Sequence, residues 1–102
     1  MNMQQMMKQA QQMQRRLAEA QEKLSDIEVS ASAGGGMVKV TGTADMVLTS
    51  ITIDPEAVDP EDVELLQDSI LAAVNECLSS AQAAASQQLG SVTGGMNIPG
   101  LF

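Results

Sequence analysis

The chain has no histidine, no tryptophan and no tyrosine, and its single phenylalanine is the last residue, Phe102. Without histidine, the commonest general base and a frequent metal ligand are missing. Without aromatic rings there is no stacking platform for single-stranded nucleic acid or unpaired RNA bases. Cysteine is limited to Cys77, so no disulfide forms within the chain. Cys77 lies in the apolar segment AAVNECLSSA with no basic neighbour. That is the setting of a small buried hydrophobe, not of a reactive thiol. No apolar run approaches the roughly 20 residues that cross a bilayer. The N-terminal MNMQQMMKQAQQ is too polar for the apolar segment of a signal peptide. A soluble, cytoplasmic protein is expected.

Positive charge is scarce too. Five basic residues face thirteen acids, for a formal charge of -8. All five, Lys8, Arg15, Arg16, Lys23 and Lys39, precede residue 40; the rest of the chain holds nine acids and no base. Such asymmetry marks interaction surfaces and says nothing of fold. At 102 residues the chain is read as one domain, 1–102. Its limited core makes dimerisation an expectation.

What is present is clear periodicity. Met3, Met6, Ala10, Met13, Leu17, Ala20, Leu24 and Ile27 recur at alternating spacings of three and four, a heptad pattern. No Gly or Pro precedes residue 34, and Gln, Met, Ala, Lys, Arg and Leu form helices well. The spacing predicts a helix over about 3–25. Residues 27–53 change to period two. Ile27, Val29, Ala31 and Ala33 alternate with Glu28, Ser30 and Ser32; Val38 and Val40 alternate with Met37, Lys39 and Thr41, then Val47, Thr49, Ile51 and Ile53 with Met46, Leu48, Ser50 and Thr52. Gly34-Gly35-Gly36 and residues 42–45 separate these runs. Three short strands in an antiparallel meander follow. Asp59-Pro60-Glu61-Asp62 reads as a helix start, with Asp59 as N-cap and Pro60 first in the helix. That helix is expected over about 60–89, closed by Gly90, with an irregular tail over 90–102. Leu66, Ile70, Val74 and Cys77 share one sector with other apolar residues. The sector, roughly 160° wide at 100° per residue, exceeds the need of one sheet face and suggests a second partner, such as another copy. The fold class is α+β, in the order αβββα.

The candidate sites divide by spacing and context. GGGMVKV joins two strands, whereas a phosphate-binding loop joins a strand to a helix N-terminus; it is a turn. Asp54, Glu56, Asp59, Glu61, Asp62 and Glu64 lack the EF-hand spacing and suit a helix N-terminus. No metal, cofactor or catalytic constellation is expected, and no enzyme. Lys8, Arg15, Arg16 and Lys23 cover about 100° of the first helix at 100° per residue, off the heptad seam. Two readings stand: the solvated flank of a coiled coil, or phosphate contact along a duplex. Methionine fills packing gaps and also lines adaptable binding surfaces. Met6, Ala10, Met13 and Leu17 are therefore expected to meet a partner helix or an apolar groove.

Several strings in this order carry a resemblance: MMKQAQQMQ at 6–14, GGGMVKVTGTADMVLTSITIDPEAV at 34–58, DVELLQDSILAAVNE at 62–76 and GGMNIPGLF at 94–102. The chain resembles the YbaB/EbfC family of nucleoid-associated proteins, nearly end to end. The resemblance implies a tight layered homodimer with projecting N-terminal helices. It also implies binding of duplex DNA with loose sequence preference, in the bacterial nucleoid, through the helical parts. The matching basic positions are Lys8, Arg15, Arg16 and Lys23. Family members often carry basic residues toward the end of the second helix; here LSSAQAAASQQLG has none. Residues and resemblance together predict a helix of two faces. Met6, Ala10, Met13 and Leu17 pack, while the basic edge grips DNA phosphates. The alternative is a dimeric protein-interaction module with a methionine-lined seam and little DNA affinity.

Overall fold

The first helix, α1, forms where strong helix formers run uninterrupted, at Met3–Lys23. Asn2 starts it: its side-chain oxygen accepts from the Gln5 N–H at 2.8 Å, satisfying one of the unpaired donors of the first turn. A 3₁₀ turn, Leu24–Asp26, ends it. The sheet follows as β1 (Glu28–Ala33), β2 (Val38–Thr43) and β3 (Val47–Ile53), antiparallel in the order β1-β2-β3. A second 3₁₀ turn, Pro55–Ala57, leads to the long helix α2, Val63–Gly94. The computed structural model describes residues 2–94, and side chains up to Gly90. The tail expected to be irregular lies beyond this from residue 95, outside the described residues.

Period-two patterning places Val38, Val40 and Gly42 on one face of β2, all buried, with Lys39 exposed on the other. Ala73 and Cys77 of α2 complete this core at 0% exposure. Leu66, Ile70 and Val74 pack against it half-buried, as do Val29, Ala31 and Ala33 of β1. The helix thus covers β1 and β2. Its direction is set at both ends of the sheet. Ser69 lies beside the β1–β2 turn at Gly34, and Cys77 Sγ lies beside Gly42. At that second end α1 joins the body. The Ala44 N–H donates to both the Leu24 carbonyl (3.1 Å) and the Ile27 carbonyl (3.0 Å). Ala44, in a turn, is accordingly buried at 1% exposure. From there α1 extends away and meets α2. The molecule measures 71 × 25 × 15 Å, with a radius of gyration of 19.7 Å. A compact domain of 100 residues would give about 13 Å, so much of each helix stands outside the α/β body.

Three local expectations differ from the structure. The α2 helix begins at Val63 and not at Pro60. Asp59 Oδ1 accepts from the Glu61 N–H (2.9 Å), and the Asp62 N–H donates to the Asp59 carbonyl (3.0 Å). Pro60 therefore sits second in a tight turn, where its fixed φ is equally at home. Asp62 takes the capping place, with Oδ1 3.4 Å from the Leu65 nitrogen. Gly90 does not end the helix, which runs on to Gly94; glycine permits a left-handed cap but does not impose one. In β3 the alternation breaks. Thr41 pairs with Ser50, but Gly42 pairs with Leu48, a shift of one residue. Thr49 and Ser50 both bring a side-chain hydroxyl to Thr41 Oγ1. Leu48 thereby joins Ile51 and Ile53 on the inner face, and Val47 and Thr49 move to the outer one.

Candidate nucleic-acid interface

Burial falls steadily along α1 away from the sheet. Ala20 and Leu24 are buried, and Met13 and Leu17 are half-buried. Ala10 is exposed, Met6 is 56% exposed and Met3 77%. The heptad seam is real as a stripe, but within one chain only its last two turns are covered. Met6 and Ala10, expected to pack, face solvent in the single chain. The physical cause is geometric: α1 is anchored at Leu24 and leaves the body, so among the described residues none covers its first half.

Lys8, Arg15, Arg16 and Lys23 are all exposed. Helical geometry turns them well away from the Met6–Met13–Leu17 stripe and spreads them along roughly 22 Å of helix axis. That length exceeds the roughly 12 Å width of a duplex major groove. No acid precedes Glu19 in the chain. A shallow hollow beside Lys8 is lined by the amide side chains of Asn2, Gln4, Gln5 and Gln11. Arg16 shares a second hollow with Gln9, Gln12 and Met13. Amides donate to phosphate oxygens as well as to bases, so the helix offers neutral donors between its charges. Lys39 stands apart, on the outer face of the sheet.

On α2, Cys77 belongs to the chain's own core and is fully enclosed. Leu66, Ile70 and Val74 lie on the same sheet with part of their surface free. The larger uncovered apolar surface is elsewhere. Leu48 (38%) and Ile51 (48%) of β3 are exposed, as is Leu71 (60%) of α2. Sequence reasoning marked Ile51 and Ile53 as inward-facing, correctly, but could not show that α2 would lie to one side of them. Among the described residues no group of three or more His, Cys, Asp or Glu side chains comes together to hold a metal ion. Nor is any helix among them long and apolar enough to cross a membrane.

Known proteins resemble this chain in sequence or in fold. A nucleoid-associated protein of Alkaliphilus metalliredigens is 54% identical over 101 residues, covering 99% of this chain and 89% of that one. A nucleoid-associated protein of Pelotomaculum thermopropionicum is also 54% identical over 101 residues, covering 99% and 96%. The crystal structure of an uncharacterized Helicobacter pylori protein superimposes with a TM-score of 0.72 at 24% identity, over 94% of this chain and 97% of that one. The same αβββα fold is thus built from a largely different sequence. The model of the YbaB/EbfC DNA-binding family matches residues 1–96. With a projecting basic helix and relatives at half identity along its whole described length, the chain belongs to the YbaB/EbfC DNA-binding family.

Proposed function

We propose that the protein acts in the bacterial cytoplasm as a homodimeric, non-enzymatic nucleoid-associated protein that grips duplex DNA mainly through backbone phosphates, with weak sequence preference. The observation that carries this reading is α1 itself. It projects from the body, holds four of the five cations of the chain, and has no carboxylate before Glu19. Six of the nine acids downstream fall between residues 54 and 64, at the end of the body opposite α1, so most of the acidity is kept away from the basic helix. The dimer is supported by the uncovered inner face of β3 and by the half-buried Met13 and Leu17, which a partner helix would finish covering. Two copies would present eight α1 cations, enough for several phosphate contacts.

Fluorescence anisotropy of a labelled duplex of about 30 base pairs, titrated across salt concentrations, tests this. The expected log–log slope is about -4 or steeper, the signature of about four or more phosphate contacts. Arg15→Ala with Arg16→Ala should weaken binding by the same factor on unrelated duplexes. It should also flatten the slope by about 1 for each phosphate no longer neutralised. Absence of binding at about 50 mM salt, where counterion release is most favourable, would overturn the DNA reading. A second reading is favoured by the exposure of Met3, Met6 and Met7: a protein-binding seam. In that case Met6→Ala harms partner binding more than loss of both arginines.

A further inference from the structure

At the end of the body opposite α1 lies a groove of about 400 Å³. Its floor is apolar: Val38 of β2, Ala57 of the second 3₁₀ turn, and Leu65 and Leu66 of α2. Its rim is acidic, from Glu56, Asp59 and Asp62. Two of these carboxylates are held in place by backbone donors, Asp59 by the Glu61 N–H and Asp62 by that of Leu65. Leu65 is 63% exposed, a large apolar side chain that the other described residues leave uncovered. An apolar floor inside a fixed anionic rim selects an occupant that is apolar and cationic together, since either half alone leaves the other unmatched.

The chain carries such a segment. The start of α1 presents Met3, Met6 and Met7 at 77, 56 and 59% exposure, with Lys8 next to them and no acid nearby. Methionine adapts its flexible thioether to irregular grooves. The segment cannot reach the groove of its own chain. It leaves from the Leu24–Ala44 end of the sheet, whereas the groove opens at the Gly34 end, in a molecule 71 Å long. We propose that the groove receives the methionine-bearing start of α1 from another copy, joining molecules head to tail. Such a contact is heterologous: groove and helix are different surfaces, so a joined pair leaves one of each open and adds further copies, as a filament or, where the rotation between copies closes, as a ring. Lys8 then serves both this contact and DNA, which makes duplex DNA a competitor of the assembly.

Sedimentation velocity without DNA tests this independently of any DNA affinity. The full chain is compared at low and high salt over a range of concentrations, alone and with a charge exchange. At low salt the wild type is expected to grow with concentration beyond its high-salt size, whatever that base size is. Glu56→Lys alone and Lys8→Glu alone should each abolish the growth. The chain carrying both changes should regain it, as should an equimolar mixture of the two single variants, in which each variant's helix meets the other's groove with opposite charge. Both positions are exposed, so folding should be unaffected, with circular dichroism as the check. Wild type that keeps one size at low salt at every concentration overturns the proposal and leaves the groove to a basic segment of a different protein. Growth that survives Glu56→Lys, or that the double exchange does not restore, overturns it as well.

Discussion

Gly42 shows how much one residue decides. It is buried in β2 at the point where the pairing with β3 shifts. A Cβ there would lie 2.8 Å from the Val47 carbonyl oxygen and 3.4 Å from Cys77 Sγ. The first of these atoms belongs to the backbone, which cannot swing aside as a side chain does. Gly42→Ala should therefore destabilise the fold by about 1–3 kcal/mol, the range of a forced core insertion, read as a lower denaturant midpoint. An unchanged midpoint would mean that the strand pair relaxes freely. The turn Gly34–Met37 needs glycine for another reason. Gly34, Gly35 and Gly36 hold φ at 63, 68 and 89°, a region that residues with a Cβ seldom enter. The GGG string was legible as a turn because it lies between two strands, and it joins antiparallel β1 and β2 where a phosphate loop would lead into a helix N-terminus.

At the scale of elements, the two helices differ in what holds them. The α1 helix is anchored at one end by Ala20, Leu24 and the shared Ala44 N–H. Its free half depends on propensity and on the Asn2 cap, a marginal basis for a helix in water. That half should be ordered mainly by a partner, whether helix, DNA or groove. The α2 helix is held along its first half by the sheet and then runs on through Gly90. Among the described residues, no atom outside its own local backbone stands within 4 Å of where a Cβ on Gly90 would be. Gly90→Ala should then stabilise the protein by about 0.5–1 kcal/mol, through the entropy glycine loses in a helix. Thermal unfolding would show a rise of a few degrees; a fall would mean that the helix ends there after all. Asp59-Pro60 misled for a related reason. An aspartate before a proline suits a helix cap and a tight turn alike, and the Asp59–Asp62 hydrogen bond selects the turn.

At the scale of the whole molecule, charge and apolar surface are both polarised. Cations follow α1, and six of the acids fall between residues 54 and 64, at the opposite end. Net charge alone would have argued against DNA; its distribution along a 71 Å body does not. The uncovered face of β3 is the second such feature. Exposed Leu48 and Ile51, beside an unpaired strand edge, are what a monomer avoids and an interface uses. Ile51→Lys should shift the proposed dimer toward monomer by analytical ultracentrifugation while leaving helix content intact. If the variant remains a dimer, the interface lies elsewhere, with the α1 seam the next surface to probe.

The element order, the amphipathic stripe of α1 and the inward alternation of β1 and β2 were legible because they are local. Side-chain period and turn chemistry are written residue by residue. So was the gathering of cations on one helix. Other features depend on relations between segments that no local pattern contains. The seam of α1 is covered only near Leu24, because that is where Ala44 ties it down. Leu48 turns inward because Gly42 admits a shifted partner. The α2 helix settles over β1 and β2 and to one side of β3, a placement set by the packing of α2 and not by any pattern in β3. Period and composition state which residues seek burial; only the packing of elements states which of them obtain it within one chain.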